Sequence, residues 1–454
     1  MRAINKMRTP WMDSSYRKRN DLNVLVRDID GAKYYVLLRA DTGAWVVFNE
    51  RDYSRYLADE LNEIEMEALY FRGLALDDSG EEVSMNFPKA ADYPSVAIVN
   101  ITTNCNLKCK YCFVNCGSFV GEDMDEFVMQ RTIEEMYKMP SKTITFELQG
   151  GEPLCNLDGM EKFLEIAERL KDGNDKIVKY RIMTNATLID DKFINLAKKY
   201  NINMGVSVDG PGDMTNLSRV DENGVGCFDK VDAGLDKLIA NDLTPDGAVC
   251  TIGQHNCKDS YKIVDYFHSK DIAFKPRPAN YSGRELEEHM TTKKGEWFEA
   301  YKEMYFRSKN LGAINFSIHI FEENVYGPIR DYICMRYPCG AAREIITVNP
   351  DGTIYPCDGF KGNEKFLMGN IKEESLKDMI HKPWVQKLRD RTEKDIPQCS
   401  KCLFRAMCCS CCYSAYGAFG TVYREDPHCY DRRKIFLFLI DEWIKNNVCN
   451  ASTQ

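Results

Sequence analysis

Residues 105–112 are Cys-Asn-Leu-Lys-Cys-Lys-Tyr-Cys, a C-x3-C-x2-C run directly after the β-branched segment SVAIVNI at 95–101. Structural zinc sites and closed iron–sulfur clusters take four protein ligands. The tight local set here is three, Cys105, Cys109 and Cys112. A four-iron cubane on three thiolates keeps one iron free for another ligand. Cys116, a little further on, is the competing fourth thiolate and would make the site a plain electron-transfer cluster.

The next β-like run, KTITFEL at 142–148, ends in Gln149-Gly150-Gly151-Glu152-Pro153. Paired glycines let a backbone approach a ligand closely, and Glu152 can accept hydrogen bonds from an ammonium group. Alone the motif is an ordinary turn. One strand after the cysteine loop, it sets an ammonium receptor on the sheet edge that carries the open iron, because ligands of parallel sheets gather at the carboxyl ends of the strands. Further β-branched runs at 176–184, 202–208, 243–252 and 272–278 alternate with helix-like stretches such as 124–137, 160–171, 191–200 and 258–269. This alternation predicts a parallel sheet with right-handed crossovers. Six units suit a partial barrel or a doubly wound sheet, and periodicity alone does not choose.

The pattern C-x3-C-x-aromatic-C, with Tyr111 in the aromatic slot, followed by Gly150-Gly151-Glu152-Pro153, resembles the radical SAM superfamily. The resemblance implies an α/β fold, a partial (β/α)6 TIM-like barrel. It implies a [4Fe–4S] cluster on Cys105, Cys109 and Cys112, whose open iron chelates the amino and carboxylate groups of S-adenosylmethionine. Reductive cleavage would then give a 5′-deoxyadenosyl radical that abstracts hydrogen from substrate. Thr184-Asn185, Ser207, Asp209 and Gly210 are similar to the family's nucleoside-binding strand ends, and Arg219 to the arginine that pairs with the cofactor carboxylate. Asp-Gly-Pro is also a common turn, and a lone arginine a common surface charge.

Cysteine is the unusual quantity, with 19 in the chain and 11 of them between Cys334 and Cys449. A reducing compartment disfavours disulfides, so metal or cluster ligation is the expected use. The C-terminal pattern is Cys339, then Gly352-x4-Cys357, then Cys399-x2-Cys402-x5-Cys408-x3-Cys412, and last Cys429. It resembles the SPASM domain of radical SAM peptide and protein maturases, with Cys334 as an eighth thiol. The resemblance implies two auxiliary [4Fe–4S] clusters, one on Cys334, Cys339, Cys357 and Cys412 and one on Cys399, Cys402, Cys408 and Cys429, three clusters in all. A zinc ribbon would account for Cys399 and Cys402 alone. Cys409 and Cys411 depart from the pattern and blur the assignment. The loop-rich segment is expected to need metal to hold together, before a closing helix at 431–445.

Residues 22–78 show three β-like runs separated by Asp30-Gly31 and Asp41-Thr42-Gly43, then two helix-like stretches. The expected division is 1–92, a small α+β unit; 93–320, the barrel; and 321–454, the SPASM domain with its final helix. The first unit looks like the small winged-helix precursor-recognition domain of ribosomal-peptide maturases, which implies leader binding by strand addition; a merely structural extension is the other reading. The favoured activity is therefore peptide cross-linking, a Cys thioether of the sactipeptide or ranthipeptide kind first, with formylglycine formation by a sulfatase-maturating enzyme second. A non-catalytic electron-transfer or binding protein is the alternative of another class. A flavodoxin or ferredoxin donor is implied by the family.

Cys116, Cys155, Cys227, Cys250 and Cys257 can each handle a substrate sulfur or simply be buried apolar residues. No catalytic base stands out, and the histidines form no motif. The net charge of −9 gives no support for binding nucleic acid or an anionic membrane. The longest apolar run, IFLFLI at 435–440, is far short of a span, and the basic N-terminus lacks the apolar core of a signal peptide. A cytoplasmic location is the expectation.

Overall fold

The computed structural model describes residues 16–83, 91–117, 121–327, 332–335 and 338–449. The chain begins with β1 (Tyr16–Lys18), β2 (Asn23–Ile29), β3 (Ala32–Leu38) and β4 (Trp45–Asn49), then helices Glu50–Leu57 and Glu63–Phe71 and strand β5 (Ala75–Asp77). β2, β3 and β4 form an antiparallel meander, while β1 pairs with β5. The β2–β3 turn places Asp30 and Gly31 at φ of 51° and 80°, the left-handed geometry that matches strand twist. Asn62 and Glu65 close a capping box on the second helix. These three strands and two helices are the ones the sequence predicts. β1 and β5 were not foreseen, since three residues carry no period.

This unit is docked on the end of the chain. Arg27 on β2 forks onto Asp441, with Nε and Nη2 at 2.6 and 2.5 Å from its oxygens. Trp45 donates to the Val325 carbonyl at 2.6 Å, and its ring meets Trp443 edge-on at 5.1 Å.

The central sheet contains β6 (Val96–Thr102), β7 (Thr143–Gly150), β8 (Ile177–Thr184), β9 (Asn203–Ser207), β10 (Gly247–Ile252) and β11 (Phe274–Pro278). Each pairs in parallel with its sequence neighbour. β6 is buried along almost its whole length, as a strand covered on both faces must be. The helices Glu126–Tyr137 and Leu157–Lys171 send Val128, Ile133, Met136, Phe163 and Leu164 onto the outer face of the sheet. Phe163 meets Phe146 of β7 edge-on at 5.2 Å. This is the α/β partial-barrel architecture expected.

The sheet does not stop at six strands. β12 (Ile345–Val348) adds in parallel beside β6, and β13 (Thr353–Tyr355) and β14 (Gly369–Asn370) follow antiparallel, giving nine strands in one sheet. These strands are two to four residues long, too short for an alternation to show among glycines and cysteines. Helix Phe316–Tyr326 runs across the 320/321 boundary drawn from sequence. The cysteine-rich segment also has an apolar core of its own, with Tyr355, Phe360, Phe366 and Leu388. Phe360 stacks on Phe366 at 4.0 Å, so thiols are not its only glue. The closing helix is Cys429–Ile444. Among the described residues no helix is long and apolar enough to cross a membrane.

Trp45→Ala removes both the hydrogen bond to Val325 and the ring contact. It should loosen β2–β4 by about 2–3 kcal/mol in amide hydrogen exchange while leaving β6–β11 protected; equal loosening of both would show that the first unit is not separately docked.

Candidate active site

Cys105, Cys109 and Cys112 stand on the loop that leaves the carboxyl end of β6. Its base is closed by Thr103 N donating to Glu122 O and Met124 N to Ile101 O, each at 2.9 Å. One flank is pinned by Lys108 N to Val220 O (2.6 Å) and Lys110 N to Ser218 O (2.8 Å). On the other, Arg284 donates from its backbone to Cys112 O (3.0 Å) and from Nη2 to Cys116 O (2.8 Å), with Nη1 on Cys109 O. The loop is thus held by backbone bonds before any ligand enters. The three thiols lie within electrostatic reach of one another, and burial raises Cys109 to about 12. A hydrogen bond from the Cys116 thiol lowers Cys112 to about 6, which places Cys116 at the edge of the group. All 19 cysteines are free thiols. Among the described residues no three His, Cys, Asp or Glu side chains close around a single ion.

Gly150 and Gly151 serve a purpose different from the one expected. A Cβ on Gly150, at φ +151°, would stand 2.0 Å from Thr102 O, and one on Gly151 2.3 Å from Asn104 O. Gly151 N and Glu152 N donate to those same carbonyls at 3.0 and 2.9 Å. The close approach is made by the cysteine loop's own backbone. Glu152 is 1% exposed. It accepts from Thr184 Oγ1 and Asn185 N, both at 2.6 Å, and from Leu154 N at 3.2 Å. Burial pushes its carboxyl up to about 7 against the pull of those donors. Pro153 starts the short helix Pro153–Asn156. The Asn185 side chain donates to Asn106 Oδ1 at 2.9 Å, tying the third strand end to the cysteine loop.

Asp209, just beyond β9, is fully buried. Its carboxylate accepts from Tyr111 Oη (2.5 Å), Ser218 Oγ (2.8 Å), Arg219 Nε (3.1 Å) and Thr251 N (2.9 Å). Burial works to raise this carboxyl, and Arg219 beside it, with His255 and the Tyr111 hydroxyl, outweighs burial and holds it below its usual value. The Arg219 guanidinium sits 5.4 Å from the centre of the Tyr111 ring. Arg219 is therefore buried and paired, not a surface charge. Ser207 ends β9 half-buried, with no side-chain hydrogen bond among the described residues.

No motif in the sequence singles out His255. Its side chain is 2% exposed, lies 3.8 Å from Asp209 and stacks on Tyr111 with ring centres 6.0 Å apart. Neither ring nitrogen has a hydrogen-bond partner within reach. Such orphaned groups mark a place where something else binds.

The C-terminal thiols fall into two neighbourhoods. Cys339 accepts from Cys409 and Cys412, and Cys357 interacts with Cys339, Cys411 and Cys334. Separately, Cys399 interacts with Cys402 and Cys429, and Cys408 with Cys429. Arg432 donates to Cys408 Sγ at 3.9 Å and pairs with Asp426 at 3.1 Å. Lys361, four residues past Cys357, reaches back to the barrel. Its Nζ pairs with Asp358 (2.8 Å) and donates to Asn100 Oδ1 (3.2 Å) and Gly150 O (3.4 Å).

Sequence comparison matches residues 99–258 to the Radical SAM superfamily and residues 339–403 to the SPASM iron-sulfur cluster-binding domain. The cysteine-type anaerobic sulfatase-maturating enzyme of Clostridium perfringens is 26% identical over 337 residues, 69% of this chain and 87% of that enzyme. The structure of anSMEcpe with bound AdoMet shares the fold at a TM-score of 0.66 and 20% identity, covering 78% of this chain and all of its own. Streptococcus suis SuiB bound to S-adenosylmethionine shares it at 0.55 and 17%, covering 91% of this chain and 99% of its own, and SuiB is also solved with its precursor peptide SuiA.

Asp209→Asn strips the buried Arg219 of its counter-charge and should cost about 3 kcal/mol in thermal unfolding; a loss under ~1 kcal/mol would show that the pair is not structural. Glu152, with its native pKa raised, favours the fold most below its unfolded value and loses that contribution as pH rises through about 7. An ammonium ligand needs the ionised form. S-adenosylmethionine affinity measured by calorimetry should therefore weaken as pH falls through about 7, and the Glu152→Gln variant should flatten that dependence.

Proposed function

Because the chain is a radical SAM enzyme with a SPASM domain, we propose that it is a peptide maturase acting on a ribosomally made precursor, most simply by joining a Cys sulfur to a carbon as a thioether. The carrying observation is the unit ahead of the barrel. β2 is an edge strand of its sheet, with Val24 and Val26 44% and 54% exposed. Beside it Tyr35 stacks on Tyr53 at 4.1 Å. A seven-residue strand with one edge open to a further strand and exposed apolar side chains suits a leader peptide that adds to it. The breadth of the likeness to SuiB supports this, since the 9% of the chain it leaves uncovered is shorter than residues 16–83.

Cys105, Cys109 and Cys112 would hold an iron–sulfur cluster that, together with S-adenosylmethionine, would supply radical chemistry for hydrogen abstraction. The residues present fit that load. Glu152 offers a buried carboxylate to the ammonium group, Arg219 a guanidinium to the carboxylate, and Ser207 and the orphaned imidazole of His255 polar atoms to the nucleoside. Tyr111, Asn185 and Asp209 hold the loop and Arg219 in place. Gly150, Gly151 and Pro153 shape the turn that aims Glu152. The eight C-terminal thiols would hold two auxiliary clusters, and a flavodoxin or ferredoxin would supply electrons.

A second reading, sulfatase maturation, is favoured by the 26% identity over 337 residues to the Clostridium perfringens enzyme. Anaerobic reconstitution with dithionite and S-adenosylmethionine should release 5′-deoxyadenosine; none would sink both readings. Deleting residues 1–90 should abolish binding of a precursor peptide encoded beside the gene. Unchanged turnover of a short sulfatase-type peptide by that truncated chain would favour the second.

A further inference from the structure

The inner face of the barrel carries a charge imbalance that cofactor binding does not use. On β7, Ile144, Phe146 and Leu148 are buried against the helices, so Glu147 between them faces the lumen. On β8, buried Tyr180 and Ile182 leave exposed Arg181 on the same face, and Arg181 is the register partner of Glu147. On β11, buried Phe274 and Pro276 leave Lys275 and exposed Arg277 facing inward. β11 is separated from β7 by three strands. Even so, Lys275 interacts electrostatically with Glu147 and Arg181 as well as with the Cys334 thiol and Arg277. That reach across the lumen is possible only because the sheet curls the two walls toward each other.

Lys275 and Arg181 therefore share one carboxylate, with Arg277 and the Cys334 thiol beside Lys275, and Glu147 already accepts from Gln149 Nε2 at 2.5 Å. Lys275 donates to the Tyr332 hydroxyl. Among the described residues neither Arg181 nor Arg277 has a hydrogen-bond or ion-pair partner. The chain as a whole is acidic, at −9, so this wall does not follow from bulk composition. Like charges gathered in a concave, low-dielectric space repel one another and focus a positive field on whatever enters. Lys275 is in register with Val249, which pairs with Ser207. Lys275 and Arg277 thus stand at the level of the strand ends assigned to the cofactor, while Arg181, in register with Asn203, lies deeper along the same wall, so that the three line the path of a substrate segment entering the lumen.

We propose that Arg181, Lys275 and Arg277 select a peptide segment bearing carboxylate side chains next to the residue that loses hydrogen. This rests on the maturase reading and adds the charge of its substrate. Guanidinium forks match carboxylates two bonds at a time, and the unpaired pair of arginines provides two such forks.

The test uses the reconstituted full chain with saturating S-adenosylmethionine and two fluorescein-labelled probes, Gly-Glu-Cys-Glu-Gly and its Gln counterpart. Anisotropy should show the Glu peptide binding about tenfold tighter at low salt, with the preference shrinking as ionic strength rises. Arg277→Gln and Arg181→Gln should each cut that preference about threefold, and the double variant should abolish it. Equal binding of both probes, binding of neither, or an undiminished preference in the double variant would overturn the proposal. So would weakened S-adenosylmethionine binding in these variants with the peptide preference intact, since the wall would then serve the cofactor. Binding is read without turnover, so failure to find a cross-linked product would count against the maturase reading alone.

Discussion

The buried carboxylate of Asp209 is the point at which the cysteine loop, the fourth strand end and the following segment meet. Three side-chain donors and one backbone amide converge on it, from Tyr111 in the loop, Ser218 and Arg219 beyond β9, and Thr251 on β10. A buried charge is tolerable only when paired and hydrogen-bonded on every side. That requirement works in both directions here. Arg219 needs Asp209 to stay buried, and Tyr111 cannot shift without leaving a lone pair bare. The Tyr111 position therefore has a second duty besides its aromatic face, because its hydroxyl locks the loop that carries three thiols.

A second lock acts on the opposite side of the loop. Gly150 and Gly151 let the β7 end press against Thr102 and Asn104, and Arg284 spans three loop carbonyls. The loop is clamped from β7, β9 and the segment after β11 at once. Preorganised thiols lose less conformational entropy when a cluster forms. The same clamping explains why Glu152 stays buried: its carboxylate is the acceptor for the β8 end, and that end is tied back to Asn106 of the loop.

Much of this was legible in the chain. Cys105, Cys109 and Cys112, the Gly-Gly-Glu-Pro turn and six alternating units are local patterns, and local patterns survive folding. The N-terminal hairpin turn was legible for the same reason, since Asp-Gly states its backbone angles. What the sequence hid is long-range or too short to be periodic. β12 to β14 are fragments whose strand character comes from lying beside β6. His255 is an isolated histidine until β10 delivers it onto Tyr111. Lys361 looks like a surface lysine until the fold brings it against Asn100 and the Gly150 carbonyl. The glycines were placed correctly and explained incompletely, because the partner they make room for is a carbonyl forty-odd residues away in sequence.

Lys361 also bears on how the two halves work together. Cys357 belongs to the C-terminal thiols, Asp358 follows it, and Lys361 pairs with Asp358 while donating to Asn100 and Gly150. One turn of chain thus joins a thiol of the SPASM segment to the glycine turn of the barrel. β12 does the same for the backbone by pairing with β6. Phe113, beside Cys112, meets Tyr413, beside Cys412, at 6.1 Å. A domain that merely hung from the barrel by a linker would make none of these contacts. The SPASM segment is built into the wall of the barrel, and Lys361 ties its first group of thiols to the turn that carries Glu152. Domain boundaries drawn from cysteine spacing therefore mark changes of composition along one continuous sheet, and the chemistry of the barrel top depends on residues that lie more than two hundred positions beyond it.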